Sequence, residues 1–295
     1  HTNYAFTASC TYAALRCVLD ADIPNNAGFY RPITVIAPEG TFVNVKYPAA
    51  LGARGQGGYR IRSTVLGALT KLLPDVGAAC AGGSEFGIVF AGYEGEARKP
   101  FLHLEFHNCT GQGGGPDRDG QDGGPYAIGN LANVPAELLE AENPVLVEAY
   151  AFLPDSGGAG RYRGSLGIVR QYRILADEAT VNLRSDRHLH ACWGIFGGQP
   201  GAKARSIIDP GTPHEAQTPS KWVRTMRRGQ VFRGEMAGSG GYGDPLTRDP
   251  SAVLADVRQE KVTLAHARDA YGVCIDPATR TVTRGWGSTC TCANG

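Results

Sequence analysis

A chain of 295 residues with 42% hydrophobic content is long enough to bury one large core or two ordinary ones. Its 29 basic and 28 acidic residues nearly cancel to a net charge of +1, which leaves no electrostatic case for nucleic acid or an anionic membrane surface. No apolar run approaches the ~20 residues of a membrane-spanning helix, and no secretory signal is visible, so the expectation is a cytoplasmic protein.

Glycine is the outlying term, at 41 residues, far above the ~7% of average usage. With 18 prolines it predicts many tight, shaped turns. Cys10, Cys17, Cys80, Cys109, Cys192, Cys274, Cys290 and Cys292 are scattered, mostly beside apolar neighbours. That pattern reads as buried free thiols in a reducing compartment. The close pair Cys290 and Cys292 is compatible with a metal or a disulfide, and otherwise reads as exposed tail.

In chain order, Ser9 to Leu19 carries apolar groups at helical spacing behind a serine able to cap, and predicts a helix. Ile33 to Val45 reads as a strand, a Pro-Glu-Gly turn and a second short strand. The stretch from Leu51 begins as a Gly-rich, Arg-bearing loop and becomes a helix over Ile61 to Leu73, stopped by Pro74. A glycine loop feeding a helix N-terminus is a ready anion site.

Residues 84 to 107 read as two strands about a charged turn, followed by a long Gly-rich loop over 109 to 130. Asn133 and Pro135 then start a short helix through about Glu140. Val145 to Glu235 is dominated by strand-like segments. Asp249 and Pro250 open one terminal helix; Thr263 caps another, which Gly272 stops. The fold class is therefore α+β, a mixed domain with a β-rich central to C-terminal part and short helices near both ends. It is expected to span residues 1–276, with a polar, poorly ordered tail over 277–295.

Several constellations bear on chemistry. His103, Glu105 and His107 fall two apart on a predicted strand, so they share a face and offer two imidazoles and a carboxylate to a metal; a wet strand face reads the same way. Arg118, Asp119 and Asp122 lie among glycines in "RDGQDGG", which suits either a polar substrate or a solvated turn. Arg161 and Arg163 sit in "PDSGGAGRYRG", where planar forks could grip carboxylate or phosphate. "GSGGYG" at 238–243 formally satisfies G-x-G-x-x-G, but "DPLTRDP" intervenes before any helix, and nucleotide binding is not expected there. A G-x-S-x-G elbow and a Walker-type loop are both missing.

Four segments in register carry a more specific signal. "PDSGGAGRYRGSLGIVR" at 154–170, "LRSDRH" at 183–188, "WGIFGGQPGA" at 193–202 and "GSGGYGDPLTRDP" at 238–250 resemble the C-terminal half of the hydantoinase B/oxoprolinase family. The likeness runs from about Ala13 to about Asp276. The family includes the B-type components of ATP-dependent N-methylhydantoinases, the C-terminal region of 5-oxoprolinases, and homologous components of acetone and acetophenone carboxylases.

The resemblance implies an ATP-dependent hydrolase of a cyclic amide, a hydantoin or 5-oxoproline. In it a hydantoinase A-type partner, a separate chain or a domain, binds ATP with Mg and activates the ring, and the B-type part completes opening. Its pattern retains a glutamate at Glu105 but not His103 or His107, and its "RDG" loop matches Arg118, Asp119 and Gly120. These imply Glu105, Arg118 and Asp119 as catalytic residues, with Arg161, Arg163, Arg184 and Asp186 binding substrate and no metal ligands in this chain. Where the family often has histidines before "TN", this chain reads "YAIGNLANVP".

Family chains are about twice this length, so a chain opening at His1 is expected to be truncated at its N-terminus, with any divalent-metal positions in the other half. A carboxylase-type component and a catalytically silent scaffold for the ATP-handling partner are the alternative readings.

Overall fold

The computed structural model of the chain describes residues 1–83, 86–107, 110–124, 129, 131–276, 278–279 and 281–284. They divide into two compact units, residues 1–78 and 79–295. No helix among the described residues is long and apolar enough to cross a membrane.

The first unit is built on α1 (Tyr4–Arg16) and α3 (Arg54–Leu72), with a single turn α2 (Ala27–Tyr30) between them. Asn3 caps α1 by accepting from the Phe6 amide, so the helix starts five residues before the expected Ser9. The third helix begins seven residues before the expected Ile61 and absorbs the glycines read as an anion loop. Their role is packing: a Cβ on Gly58 would lie 2.6 Å from Phe6 and 2.8 Å from the Cys10 sulfur. Burial in this contact pushes the Cys10 thiol up to about 11.

The strands expected over Ile33 to Val45 do not form. The chain there makes one bridge, Thr41 to Asn44, and the Gly40 amide before it donates to Asn44 O. Its backbone is satisfied by Thr2, which donates to Phe42 O and accepts from Val45 N. Strand propensity without a strand to pair with gives no ladder.

The second unit contains two antiparallel sheets. One has the order β2-β1-β5-β8, from β1 (Phe86–Glu94), β2 (Lys99–His107), β5 (Glu178–Arg184) and β8 (Lys221–Arg227). The other runs β3-β4-β9-β6-β7, from β3 (Val145–Phe152), β4 (Ile168–Ile174), β9 (Val231–Glu235), β6 (Arg205–Ile208) and β7 (Ala216–Gln217). A short helix α4 (Ala136–Glu142) precedes β3. Phe86, Ile88 and Phe90 on β1 meet Tyr172, Ile174 and Phe232 of the opposite sheet in one core. The Phe90 and Tyr172 rings lie 5.1 Å apart, and Trp222 meets Phe232 edge-on at 5.7 Å. Each such fully buried side chain is worth about 1.5–3 kcal/mol of transfer free energy. The expected α+β class is the observed one.

The glycines are concentrated where 110–124, 154–167, 192–202 and 236–244 run side by side. These segments hydrogen-bond to one another directly, Gly114 N to Gly240 O and Ser239 N to Ser165 O, and through Cys80, whose N donates to Trp193 O and whose O accepts from Gly240 N. A Cβ on Gly238 would sit 1.8 Å from Ser156 O, and one on Gly120 1.9 Å from Gln112 O. Backbone packed directly on backbone, more than turn formation, is what the glycine content serves.

At the C-terminal end, α5 (Pro250–Arg258) is capped by Asp249 and α6 (Leu264–Tyr271) by Thr263, with Gly272 in the left-handed conformation as its stop. Their apolar faces form a second small core with Val262, Val273 and Ile275. Within the segment expected as tail, β11 (Val282–Arg284) pairs with β10 (Val273–Ile275). The residues from 285 onward, including Cys290 and Cys292, lie outside the described residues, as does Cys109. Of the other cysteines, Cys10, Cys80 and Cys192 are buried free thiols as expected; Cys17 is exposed and Cys274 is disulfide-bonded.

Candidate functional site

Arg163 lies at the centre of a charge network that ties the glycine segments together. Its guanidinium grips Asp122 through Nη1 at 2.9 Å and Nη2 at 2.7 Å, and donates from Nε to Asp256 Oδ1 at 3.1 Å. Its backbone amide donates to Asp119 Oδ1 at 2.9 Å. Arg248 forks onto Asp119 at 2.6 and 2.7 Å, and reaches Asp256 Oδ2 at 2.7 Å and the Arg161 carbonyl at 3.1 Å. Lys261 Nζ adds a contact to Asp122 Oδ2 at 3.0 Å. Three cations thus face three carboxylates, and both arginines are about 3% exposed.

The electrostatics follow from this pairing. Burial pulls the Arg163 guanidinium down, but the bonds to Asp122 and the charge of Asp256 outweigh it and hold the group above the ordinary arginine value. Arg248 behaves likewise, with Asp119 as the main opposing partner. For Asp122, burial pushes the carboxyl up, while Arg163, the Leu166 amide and Lys261 together hold it below the usual range.

Arg118, Asp119, Asp122, Arg161 and Arg163, all singled out from sequence, meet here. Arg118, Asp119 and Gly120 run beside Arg161 to Arg163, joined by the Gly120 amide donating to the Arg163 carbonyl at 2.7 Å. Arg163 is enclosed and committed to carboxylates. Arg118 and Arg161 are exposed; Arg118 pairs with Asp117 at 2.8 Å, and the Arg161 guanidinium lies 5.5 Å from the Tyr162 ring centroid. The Asp119 side chain retains 35% exposure despite its fork to Arg248. Sequence reading missed Arg248, Asp256 and Lys261, because nothing local marks a charged residue in or beside a helix as the counter-ion of a loop some 90 or more positions away.

Glu105 lies elsewhere, between the sheets. The expected shared face of His103 and Glu105 is present, opposite Phe90 and Ile88 in the ladder, but it faces the core instead of water. Glu105 Oε1 is paired with Arg170 Nη1, and Oε2 accepts from the Tyr172 hydroxyl at 2.7 Å. Arg170 also donates to Val134 O and lies 4.3 Å from the Tyr150 ring centroid. His103 Nε2 is 3.7 Å from Glu105 Oε2, and burial first, then the Arg170 charge, lowers its imidazole. The His107 side chain is outside the described residues. Among those described, no three His, Cys, Asp or Glu groups could hold a metal ion.

Arg184 and Asp186 are at the end of β5. Arg184 is level with Gly87 and Lys221 and lies 5.9 Å from the Phe106 ring. Asp186 is half-buried in the following turn. Beside it, Ser185 Oγ donates to Ser220 O and lies 2.8 Å from His188 Nε2. His188 stacks on Phe86, and burial and Lys221 lower its imidazole.

The segment 238–243 is followed by a one-turn 3₁₀ helix, Pro245–Thr247, and α5 opens only at Pro250. A dinucleotide cradle with its helix inside the motif is not formed.

These charges predict a two-step acid response. His103 and His188 have folded values below the ~6.5 of an unfolded histidine, so the unfolded chain takes protons first and stability falls as pH drops below ~6.5. Asp122, depressed below ~3.9, stabilises above that value and loses its contribution as pH falls through its folded value. Melting temperatures over pH 3 to 8 should show both steps, and Asp122→Asn should lower the plateau and flatten only the lower one. An unchanged acid limb in that variant would remove Asp122 from the account.

Comparison with known proteins places this fold. Residues 1–245 match the family described as hydantoinase B/oxoprolinase. The beta component of caprolactamase from Pseudomonas jessenii is 31% identical over 282 residues, 91% of this chain and 48% of that protein. The 5-oxoprolinase PfmaA of Pestalotiopsis fici is 28% identical over 254 residues, 82% of this chain and 19% of that protein. The crystal structure of ATP-dependent caprolactamase from Pseudomonas jessenii superposes with a TM-score of 0.81 at 27% identity, covering 92% of this chain and 48% of that one. The nucleotide-free structure of acetone carboxylase shares the fold, with a TM-score of 0.76 at 19% identity over 95% of this chain and 42% of that one. The chain spans half or less of the length of these relatives. With the family matched over most of its residues, the glycine-packed sandwich described above is that of a member of the hydantoinase B/oxoprolinase family.

Proposed function

We propose that this chain is part of an ATP-dependent enzyme that opens a cyclic amide, and that it completes hydrolysis of a ring activated by an ATP-handling A-type partner. A lactam is a poor electrophile because its nitrogen lone pair is delocalised into the carbonyl. Phosphorylating the carbonyl oxygen gives an activated imidate ester that water can attack. ATP and Mg fit the partner better than this chain, whose described residues offer neither a helix-opening glycine loop nor a carboxylate cluster able to hold a metal.

The observation that carries the reading is the way one enclosed charge network aligns the "RDG" and "GRYRG" segments while leaving Arg118 and Arg161 exposed. In this proposal those two guanidiniums stabilise charge developing on the ring oxygen, and Asp119, partly exposed, orients the attacking water. The Arg248 fork fixes the orientation of the Asp119 carboxylate. Arg163 and Glu105 hold the segments and sheets in place. Arg184 and Asp186 are assigned to substrate contacts from the far end of β5.

The test is substrate-dependent phosphate release from ATP, with and without an A-type partner, using 5-oxoproline, hydantoin and caprolactam, and acetone with bicarbonate. Release with a lactam only in the partner's presence is expected, and Arg161→Ala should lower kcat by ~10²-fold or more. Release confined to acetone with bicarbonate would replace the hydrolase by a carboxylase. Turnover by this chain alone would overturn the division of labour.

A further inference from the structure

Strand β2 turns two polar side chains inward and a row of apolar ones outward. While His103 and Glu105 face the core, Leu102, Leu104 and Phe106 point away from it, Leu102 being 73% exposed. The ladder extends these rows across the sheet: Leu104 is level with Val89, Asn182 and Val223, and Leu102 with Ala91, Thr180 and Thr225. Val223 is 62% and Tyr93 55% exposed on the same face. A shallow depression of about 420 Å³ opens there, lined by Ala91, Tyr93, Pro100, Leu102 and Thr180. The strand β2 is also a nine-residue edge, and an apolar edge of that length left bare is an aggregation hazard.

We propose that this sheet face seats the part of a family-length protein that lies outside the region these 295 residues match. The caprolactamase relative matches over 48% of its own length, so it carries roughly as much polypeptide again. A body tethered to this fold is present at millimolar effective concentration, which makes even a modest apolar strip a permanent seat. Its charge requirement is readable: the row Phe106, Gly87, Arg184, Lys221 adds two cations beside the apolar strip. The occupant therefore offers an apolar ridge to Leu102, Leu104 and Phe106, with a carboxylate toward Lys221 beside it. A second copy of this chain fits less well, since among the described residues of this sheet Glu178 is the one carboxylate projecting on the same face, and it is level with Arg227.

The test uses the half of the caprolactamase beta component that this chain does not match, expressed as a separate polypeptide, as the probe. Hydrogen exchange is followed over residues 99–107 of the intact 295-residue chain. Exchange at the free edge of β2 is expected to slow at least tenfold with the probe. The double variant Leu102→Glu with Leu104→Glu, both changes at exposed sites, should weaken capture at least tenfold, whereas Leu72→Glu, equally exposed in the first unit, should not. The inference fails if the probe gives no protection. Protection that rises with the chain's own concentration instead would assign the face to a homodimer, and protection seen only with an ATP-handling partner would assign it to that protein.

Discussion

Replacing Arg170 by methionine with Glu105 left in place will cost about 3–5 kcal/mol of unfolding free energy, because it strands a carboxylate between two sheets without the guanidinium that pairs it. Glu105 and Arg170 are both closed to solvent, so water cannot replace the lost partner. The Tyr172 hydroxyl serves one oxygen, and the other loses its ion pair. In urea the midpoint should fall with the slope unchanged. The double variant Glu105→Leu with Arg170→Met should recover much of the loss, since removing both charges also removes their desolvation. A cost below ~1 kcal/mol for the single change would mean that the pair is not buried as described.

Substituting alanine for Gly238 will have an effect at least as large, by a different route. The new methyl would lie 1.8 Å from the Ser156 carbonyl oxygen and 2.5 Å from its carbon, a backbone group fixed by the hydrogen bond that its oxygen accepts from the Ala202 amide. Over-packing a side-chain core costs about 1–3 kcal/mol because side chains can rotate away; here two backbone segments must separate. Loss of soluble protein or a drop of more than ~4 kcal/mol is expected. Gly115→Ala is the matched control, since its nearest neighbour would be the flexible Arg118 side chain at 3.5 Å. It should change stability by less than ~1 kcal/mol. Equal effects at the two positions would refute backbone packing as the reason for the glycines.

What could be read along the chain was whatever depends on neighbours in sequence. Asp249 with Pro250, and Thr263 with Gly272, punctuate their helices as expected, because a cap is a contact over two or three residues. The hairpin of β1 and β2 followed from β-rich runs about a charged turn. The start of α3 was misjudged for a related reason: glycine is a poor helix former on its own, and only the approach of Phe6 and Cys10 makes it the residue that fits. Cys274 likewise gave no local sign of its disulfide.

The candidate site divides in the same way. Arg118, Asp119, Arg161 and Arg163 were recognised from two glycine-rich motifs, and the four segments in register identified the family by sequence alone. Their arrangement was not legible, because Asp256 and Arg248 enter from the far end of the chain to pair with them. The direction of β2 was not legible either. Alternation places His103 and Glu105 on one face but is silent on which face is covered. Arg170 and Tyr172 on the opposing sheet make the polar row the buried one. The sequence by itself therefore determined the family, the caps of the two C-terminal helices and the α+β composition, all set by local spacing. Only the tertiary structure decided which charges are enclosed and which apolar strip faces outward, since burial is a property of the surfaces that meet.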